Sequence, residues 1–373
     1  MKNPLAQLLV LVLLALPHCA TAQQNPAVAP GAASTSAHGC QPSYAYYRNA
    51  FDLNAQPVRA TLYVAHGRTP YFLSVNGVRA AQSVRNNPGA PETTAWDVSA
   101  LIIQGLNVVS VFTTHNIDTN SSMGGDCAPA FNPMDVDLVV QTQSGQTTPI
   151  ASHGTWKTVT QYADEGMFQS VFVYDARQAP PLQTRPVDDY ADHAGIFMKY
   201  AHWQDADYDD DAWALVSAAE QKTPVANPRY AIDYSQAPGA VPVYEPFKIF
   251  VCDPGDGEKT KTAASDRCKG ATGAASPDSN GIPIPSSSEA GASQTLRLTV
   301  APPDSPRRSM ASFRFFASEA GAEVVIKGLG RYITRQGIQN WDTFLDINEV
   351  EIFIEGPGRG IFLLDAGAWR APE

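Results

Sequence analysis

Between residues 60 and 145 the chain breaks into short runs in which apolar side chains recur at every second position: ATLYVAH, YFLSVNG, LNVVSVFTT and VDLVVQTQSG. Gly, Asn, Pro and Asp punctuate them. A two-residue period marks a strand with one face in a core, because successive side chains on a strand point to opposite faces. The pattern continues in MFQSVFVYDA and returns towards the carboxy terminus in FKIFV, TLRLTV, ASFRFFA, EVVIKG, EVEIFIE and GIFLLDA. No long stretch carries the 3.6-residue apolar period of a helix. Only WDVSALII (Trp96–Ile103) and DDAWALVSAAE predict single short helical turns. The fold class expected is all-β, with two β-sandwich (jelly-roll-like) domains in tandem.

A chain of 373 residues is long enough for two domains that each bury a core. Residues 1–22 read as a signal peptide: Lys2 precedes the apolar run LAQLLVLVLLALP, and Ala20-Thr21-Ala22 precedes Gln23. Residues 23–39 have the small, polar, Pro-containing composition of a disordered linker. The first sandwich is expected over 40–222 and the second β-rich domain over 244–373, joined by the Pro-rich segment 223–243. Residues 253–293, rich in Gly, Ser, Pro and Ala, are expected to form a flexible insertion. The expected location is secreted or periplasmic, with no membrane insertion.

Cysteine usage fits an oxidising compartment. Cys40, Cys127, Cys252 and Cys268 remain once the signal peptide is removed, and they lack zinc-ligand spacing. Of three possible connectivities, Cys40–Cys127 with Cys252–Cys268 keeps each bridge within one domain. The formal charge of −11, from 37 acidic against 26 basic residues, makes nucleic acid and anionic lipid poor candidates as partners, and no basic block exceeds Arg307-Arg308. There is no nucleophile elbow, no His-Glu-x-x-His and no phosphate-binding glycine loop.

Several fragments of the first region then align in order. They are YYRNAF (Tyr47, Arg48, Phe51), the Asn76-Gly77 turn, Pro88-Gly89, Asp97-Val-Ser-x-Leu101, and Gly105-x-Asn107. GTWKTV, VFVYDAR and DADYDDDAW follow. Over residues 44–218 this series resembles the galactose-binding-like β-sandwich accessory domain of bacterial α-L-rhamnosidases. The resemblance implies a sugar-binding sandwich. The family's Gly-Glu before Tyr-Asp-Ala-Arg is here within Val171-Phe172-Val173, and the loop HNIDTNSSMGGDC replaces a Gly-Trp-Tyr. The helical barrel that carries rhamnosidase catalysis has no counterpart, because the remaining residues read as β.

DADYDDDAW, Asp205 to Trp213, departs from the EF-hand pattern: Asp210 stands at the glycine place and Val216 at the closing glutamate. A looser structural calcium on Asp205, Asp207 and Asp209 is what the resemblance to jelly-roll sugar-binding domains leaves open, and no other cofactor is expected. The competing reading has Asp210 and Asp211 capping a helical turn, with Trp213 packed beneath the sandwich. A sugar site needs an aromatic face and a few convergent polar groups. Candidates in the first domain are Asn116, Asp118, Asn120 and Asp126 in the long loop, with Arg85 and Trp96. Tyr332, Trp341 and Asp342 in GLGRYITRQGIQNWDTF, read as a loop, are the candidates in the second. Core packing is the competing reading for both tryptophans. The function expected is non-catalytic recognition of a polysaccharide or oligosaccharide. A glycan-active enzyme and a protein-binding adhesion component are the alternatives, which a close carboxylate pair or an exposed apolar patch would favour.

Overall fold

The computed structural model describes residues 43–66, 71–83, 92–115, 134–150, 156–162, 172–186, 198–216, 232–252, 271–272, 281–284, 295–299, 308–326, 330–346, 349–355 and 360–370. The described residues are all-β, without a helix. None therefore forms a helix long and apolar enough to cross a membrane.

The amino-terminal half is built on a six-stranded sheet. Its order is β13 (Ala214–Leu215), β9 (Lys157–Tyr162), β1 (Ser43–Leu53), β6 (Gly105–His115), β3 (Tyr71–Val75) and β4 (Val78–Ser83). A four-stranded sheet accompanies it, in the order β5 (Glu92–Asp97), β2 (Pro57–His66), β7 (Asp135–Thr142) and β8 (Gly145–Ile150). Leu62, Val64, Leu138 and Val140 of the four-stranded sheet share a core with Tyr71, Leu73, Val109 and Val111 of the six-stranded sheet. Each such side chain stabilises the fold by about 2 kcal/mol on burial.

The carboxy-terminal half contains a seven-stranded sheet. It runs β10 (Phe172–Asp175), β21 (Gly330–Ile333), β20 (Glu323–Ile326), β23 (Glu349–Glu355), β18 (Thr295–Thr299), β15 (Lys248–Cys252) and β16 (Ala271–Thr272). A further sheet has β14 (Val243–Pro246), β24 (Ile361–Arg370), β19 (Arg308–Ala317) and β22 (Gly337–Asp346), with β17 (Ile282–Pro283) also paired to β24. β11 (Gln183–Pro186) and β12 (Met198–Ala201) form a separate ribbon. The strand β10 comes from the first region of the sequence, yet it pairs in parallel with β21 of the second.

The six-stranded sheet is buried on both faces. Along β1, Tyr47 and Phe51 face the amino-terminal core, while Tyr44 and Tyr46 join a second core. Phe72 of β3 and Phe112 of β6 lie on that second face, in one cluster with Phe313, Tyr332 and Trp341. A strand with two buried faces loses its apolar–polar alternation, so YAYYRNAF lacks the period that marks its neighbours.

Several expectations are corrected. The two predicted helical turns are absent from the described residues. After β5 a single turn follows, in which Asp97 Oδ1 accepts from the N–H and hydroxyl of Ser99 at 3.0 and 2.6 Å. After Asp210 the chain turns directly into β13, so Asp210 and Asp211 cap no helix there. The run GLGRYITRQGIQNWDTF is no loop: it contains β21 and β22, whose inward face carries buried Gln339 beside Trp341. Within the expected insertion, β16 and β17 are paired and Ile282 and Ile284 are buried. Cys252 ends β15, while Cys40, Cys127 and Cys268 lie outside the described residues, as does the signal segment.

The acidic stretch acts through Arg48, whose side chain is 1% exposed. Arg48 Nε donates to Asp210 Oδ2 at 2.8 Å, Nη1 to the carbonyls of Trp203 and Asp205, and Nη2 to the carbonyl of Tyr208 at 3.3 Å. Its guanidinium lies 5.1 Å from the Tyr208 ring centroid. The other Asp210 oxygen accepts from Lys157 Nζ at 2.7 Å. A buried guanidinium is tolerated only when its donors find acceptors, and here one carboxylate and three carbonyls supply them. Three fragments singled out in the sequence, YYRNAF, GTWKTV and DADYDDDAW, thus meet in one polar cluster.

The Asn76-Gly77 turn is likewise tied to the Gly105-x-Asn107 fragment. Asn76 has φ 49° and Gly77 φ 80°, both positive as a tight hairpin requires. Asn76 Nδ2 donates to Asn107 Oδ1 at 2.9 Å, and Asn107 is fully buried.

Breaking the buried pair from one side leaves Arg48 uncompensated. Asp210→Ala is expected to destabilise by about 3–5 kcal/mol, whereas exposed Asp211→Ala changes stability by less than about 0.5 kcal/mol; urea titration measures both. Burial opposes ionisation of Asp210, but hydrogen bonds from Lys157 and Arg48 win and hold its pKa below the usual value. Its contribution is therefore present above the ordinary carboxylate pKa of about 4 and is lost as pH falls through the folded value. Acidification should destabilise the wild type more than Asp210→Ala.

Candidate functional site

A cleft opens where the second face of the six-stranded sheet meets the carboxy-terminal half. It spans about 600 Å³, counting the space open to solvent. One wall is aromatic, from Tyr46, Tyr174, Tyr332 and Trp203; the polar groups are His202, Gln204, Arg335, Gln339, Asn340 and Asp342.

Strand pairing sets the aromatic wall. Parallel pairing places Tyr174 beside Tyr332, and the rings stack at 5.2 Å and 11°. Trp341 packs behind, 5.1 Å from Tyr332. Tyr46 reaches across from β1: its hydroxyl lies 2.7 Å from that of Tyr174, so one donates to the other. Trp203 meets Tyr46 edge-on at 5.2 Å and stacks against Trp213 at 6.3 Å. Its backbone is held by Arg48, so the polar cluster also positions this half-buried ring.

The β21–β22 turn supplies Arg335. Gln339, 3% exposed, holds that turn closed. Its Oε1 accepts from the Arg335 N–H at 2.8 Å, and its Nε2 donates to the carbonyls of Arg335 and Gly337 at 2.7 and 3.1 Å. Gly337 has φ 92°, a backbone state that suits glycine. The Arg335 side chain donates from Nη1 to the carbonyl of Pro180 at 3.0 Å. Asp342 accepts from Ser312 Oγ at 2.7 Å and from Arg79 Nη2 at 3.2 Å. Arg79 lies outside the cleft wall, its guanidinium 4.0 Å from the Phe72 centroid and 5.1 Å from that of Trp369. Burial pulls the Arg79 pKa down to about 10 against the opposing pull of Asp342, so it stays cationic at neutral pH. At the rim, burial lowers the His202 pKa, Asp205 opposes, and Arg314 and Arg335 lower it further.

Of the sequence candidates, the structure brings Tyr332, Trp341 and Asp342 together. Asp342 and Tyr332 line the cleft; Trp341, 2% exposed, belongs to the core behind it. Tyr332 is itself fully buried, a wall rather than an open platform. Trp96 is 9% exposed and packs in the amino-terminal core, as its competing reading had it. Arg85, Asn116, Asp118, Asn120 and Asp126 lie outside the described residues. In the acidic stretch, Asp205 Oδ2 accepts from the His202 N–H at 2.8 Å and Asp209 Oδ1 from the Asp211 N–H at 3.1 Å. Among the described residues no group of three or more His, Cys, Asp or Glu side chains could hold a metal ion, and Asp205, Asp207 and Asp209 form no such group.

Sequence reasoning missed Trp203, His202, Arg335 and Asn340. Trp203 directly precedes the acidic stretch, and an aromatic next to a turn was the available signal. Arg335 and Asn340 carried none, because β21 and β22, which bring them to the cleft, are hidden in a run that reads as a loop.

No family model matches the chain, and no curated protein matches it in sequence. Among solved structures, α-L-rhamnosidase from Dictyoglumus thermophilum is similar at 18% identity and a TM-score of 0.46, over 88% of this chain and 32% of that one. Native α-L-rhamnosidase from Aspergillus terreus is similar at 14% identity and a TM-score of 0.43, over 89% of this chain and 34% of that one. A Pleurotus ostreatus lectin in complex with GalNAc is similar at 12% identity and a TM-score of 0.27, over 89% and 77%. The chain thus spans about a third of the length of the two rhamnosidases.

The aromatic wall has a titration signature. Burial, reinforced by Tyr174, raises the pKa of Tyr44, Tyr46 and Tyr332 well above 10, and burial raises that of Tyr174 to about 12 against the hydrogen bond from Tyr46. A raised folded pKa gives stability that is complete below the unfolded value of about 10 and lost as pH climbs towards the folded one. Spectrophotometric titration at 295 nm should show a fraction of tyrosines that ionise only as the protein unfolds. Ionisation of every tyrosine near pH 10 in the folded protein would contradict this burial.

Proposed function

We propose that this chain is an exported, non-catalytic carbohydrate-binding protein that recognises a polysaccharide or surface glycan through the cleft beside Trp203. Its amino-terminal half would serve as a galactose-binding-like accessory sandwich of the rhamnosidase kind, the reading that the ordered motifs support. The observation that carries the proposal is the juxtaposition, in one cleft, of aromatic side chains with His202, Gln204, Asn340 and Arg335. Sugars present an apolar C–H face and a fringe of hydroxyls, and a site of this composition meets both.

Glycan hydrolysis is the second reading, and the cleft favours binding over it. Glycoside hydrolysis commonly uses two carboxyl groups about 5–9.5 Å apart. Among the described residues that line the cleft, Asp342 is the single carboxylate, and it already accepts from Ser312 and Arg79.

The test is a glycan array probed with residues 23–373, followed by titration of the best ligand. Trp203→Ala and Asn340→Ala should each weaken binding by roughly tenfold or more. Asn340 is exposed, so its variant keeps the test informative if loss of Trp203 disturbs folding. Binding should survive calcium chelation, since the Asp205 and Asp209 carboxylates are engaged by backbone N–H groups. Unchanged affinity in both variants would remove the cleft as the site, and a silent array would remove carbohydrate recognition.

A further inference from the structure

We infer that the cleft recognises a carboxylate-bearing sugar, a uronic acid residue of the glycan, and that Arg335 is the group that selects it. The inference rests on the carbohydrate-binding reading and adds the ligand's charge to it.

Arg335 is the cleft's uncompensated cation. Its Nη1 is bound to the Pro180 carbonyl, and no acidic side chain among the described residues pairs with it. Asp342, the carboxylate in the same lining, is balanced from behind by Arg79, which does not line the cleft. Among the described lining residues the excess is therefore positive, in a chain whose formal charge is −11.

Geometry favours a planar anion. With Nη1 engaged, the Nε and Nη2 N–H groups remain as a parallel pair of donors, the fork that matches the two oxygens of a carboxylate. The fork is also held in place in advance. Gln339 fastens the Arg335 backbone on both its N–H and its carbonyl, and Pro180 fastens the side chain. A donor fixed before the ligand arrives loses little conformational entropy on binding. Half-buried Trp203 and exposed Asn340 are left to contact the sugar ring and its hydroxyls.

The experiment titrates the protein, residues 23–373, with oligosaccharides of galacturonate, glucuronate and mannuronate, and with the same oligosaccharides after reduction of the carboxyl groups to alcohols. At least one acidic ligand should bind roughly tenfold or more tightly than its reduced form, with the difference shrinking at high salt. Arg335→Gln should abolish the difference, so that the acidic and reduced forms bind alike. Arg335→Lys, which keeps the charge but not the fork, should lose most of it and replaces Arg335→Gln if that variant does not fold. Equal affinity for acidic and reduced ligands, or a preference that persists in both variants, overturns the role of Arg335 while carbohydrate binding stands. Binding of neutral array glycans without binding of any uronate overturns it equally. A protein that binds neither these ligands nor any array glycan loses both readings.

Discussion

The guanidinium of Arg48 is the constraint on which the cleft depends. It is buried on the second face of the six-stranded sheet, and water cannot supply its acceptors. Residues 203–210 therefore wrap it, with carbonyls from Trp203, Asp205 and Tyr208 and the carboxylate of Asp210 turned inwards. A segment with so many aspartates would otherwise favour solvent. Fastened there, it sets Trp203 against Tyr46 and puts His202 at the rim of the cleft. The cation thus acts less as a source of net stability than as a means of specifying one path for this segment.

That arrangement exists because the sheet has no solvent face to spare. Its first face packs on the four-stranded sheet, and its second carries Tyr44, Tyr46, Phe72 and Phe112 into the cluster of Phe313, Tyr332 and Trp341. The cleft is what remains where this second packing is incomplete. Its walls consist of side chains already fixed by ring stacking and by hydroxyl pairs such as Tyr46–Tyr174.

The all-β class was legible in the sequence because apolar side chains recur at every second position in ATLYVAH and YFLSV, which lie in β2 and β3, although both faces of β3 are buried. The Asn76-Gly77 turn was legible for its need of positive φ. Local pattern failed where tertiary partners decide. β22 was hidden because Gln339, a polar residue, occupies an inward position, and only the three hydrogen bonds it makes to the turn explain how it can. The acidic stretch read as a helix cap because its true partner, Arg48, lies far away in sequence. The site was legible only in part: Asp342 and Tyr332 were singled out and do line the cleft, while Arg335 gave no signal because its neighbour Pro180 belongs to the other half of the chain.

The parallel pairing of β10 with β21 has a consequence for how the chain assembles. β10 belongs to the amino-terminal part of the sequence but occupies an outer position in the carboxy-terminal half's seven-stranded sheet. Until it docks, β21 presents an open row of backbone donors and acceptors, the kind of edge on which other chains add. The two halves are therefore not separable pieces placed side by side. The first half supplies the outermost strand at one margin of the second, so the carboxy-terminal sheet reaches its full width only in the company of the segment that is synthesised before it.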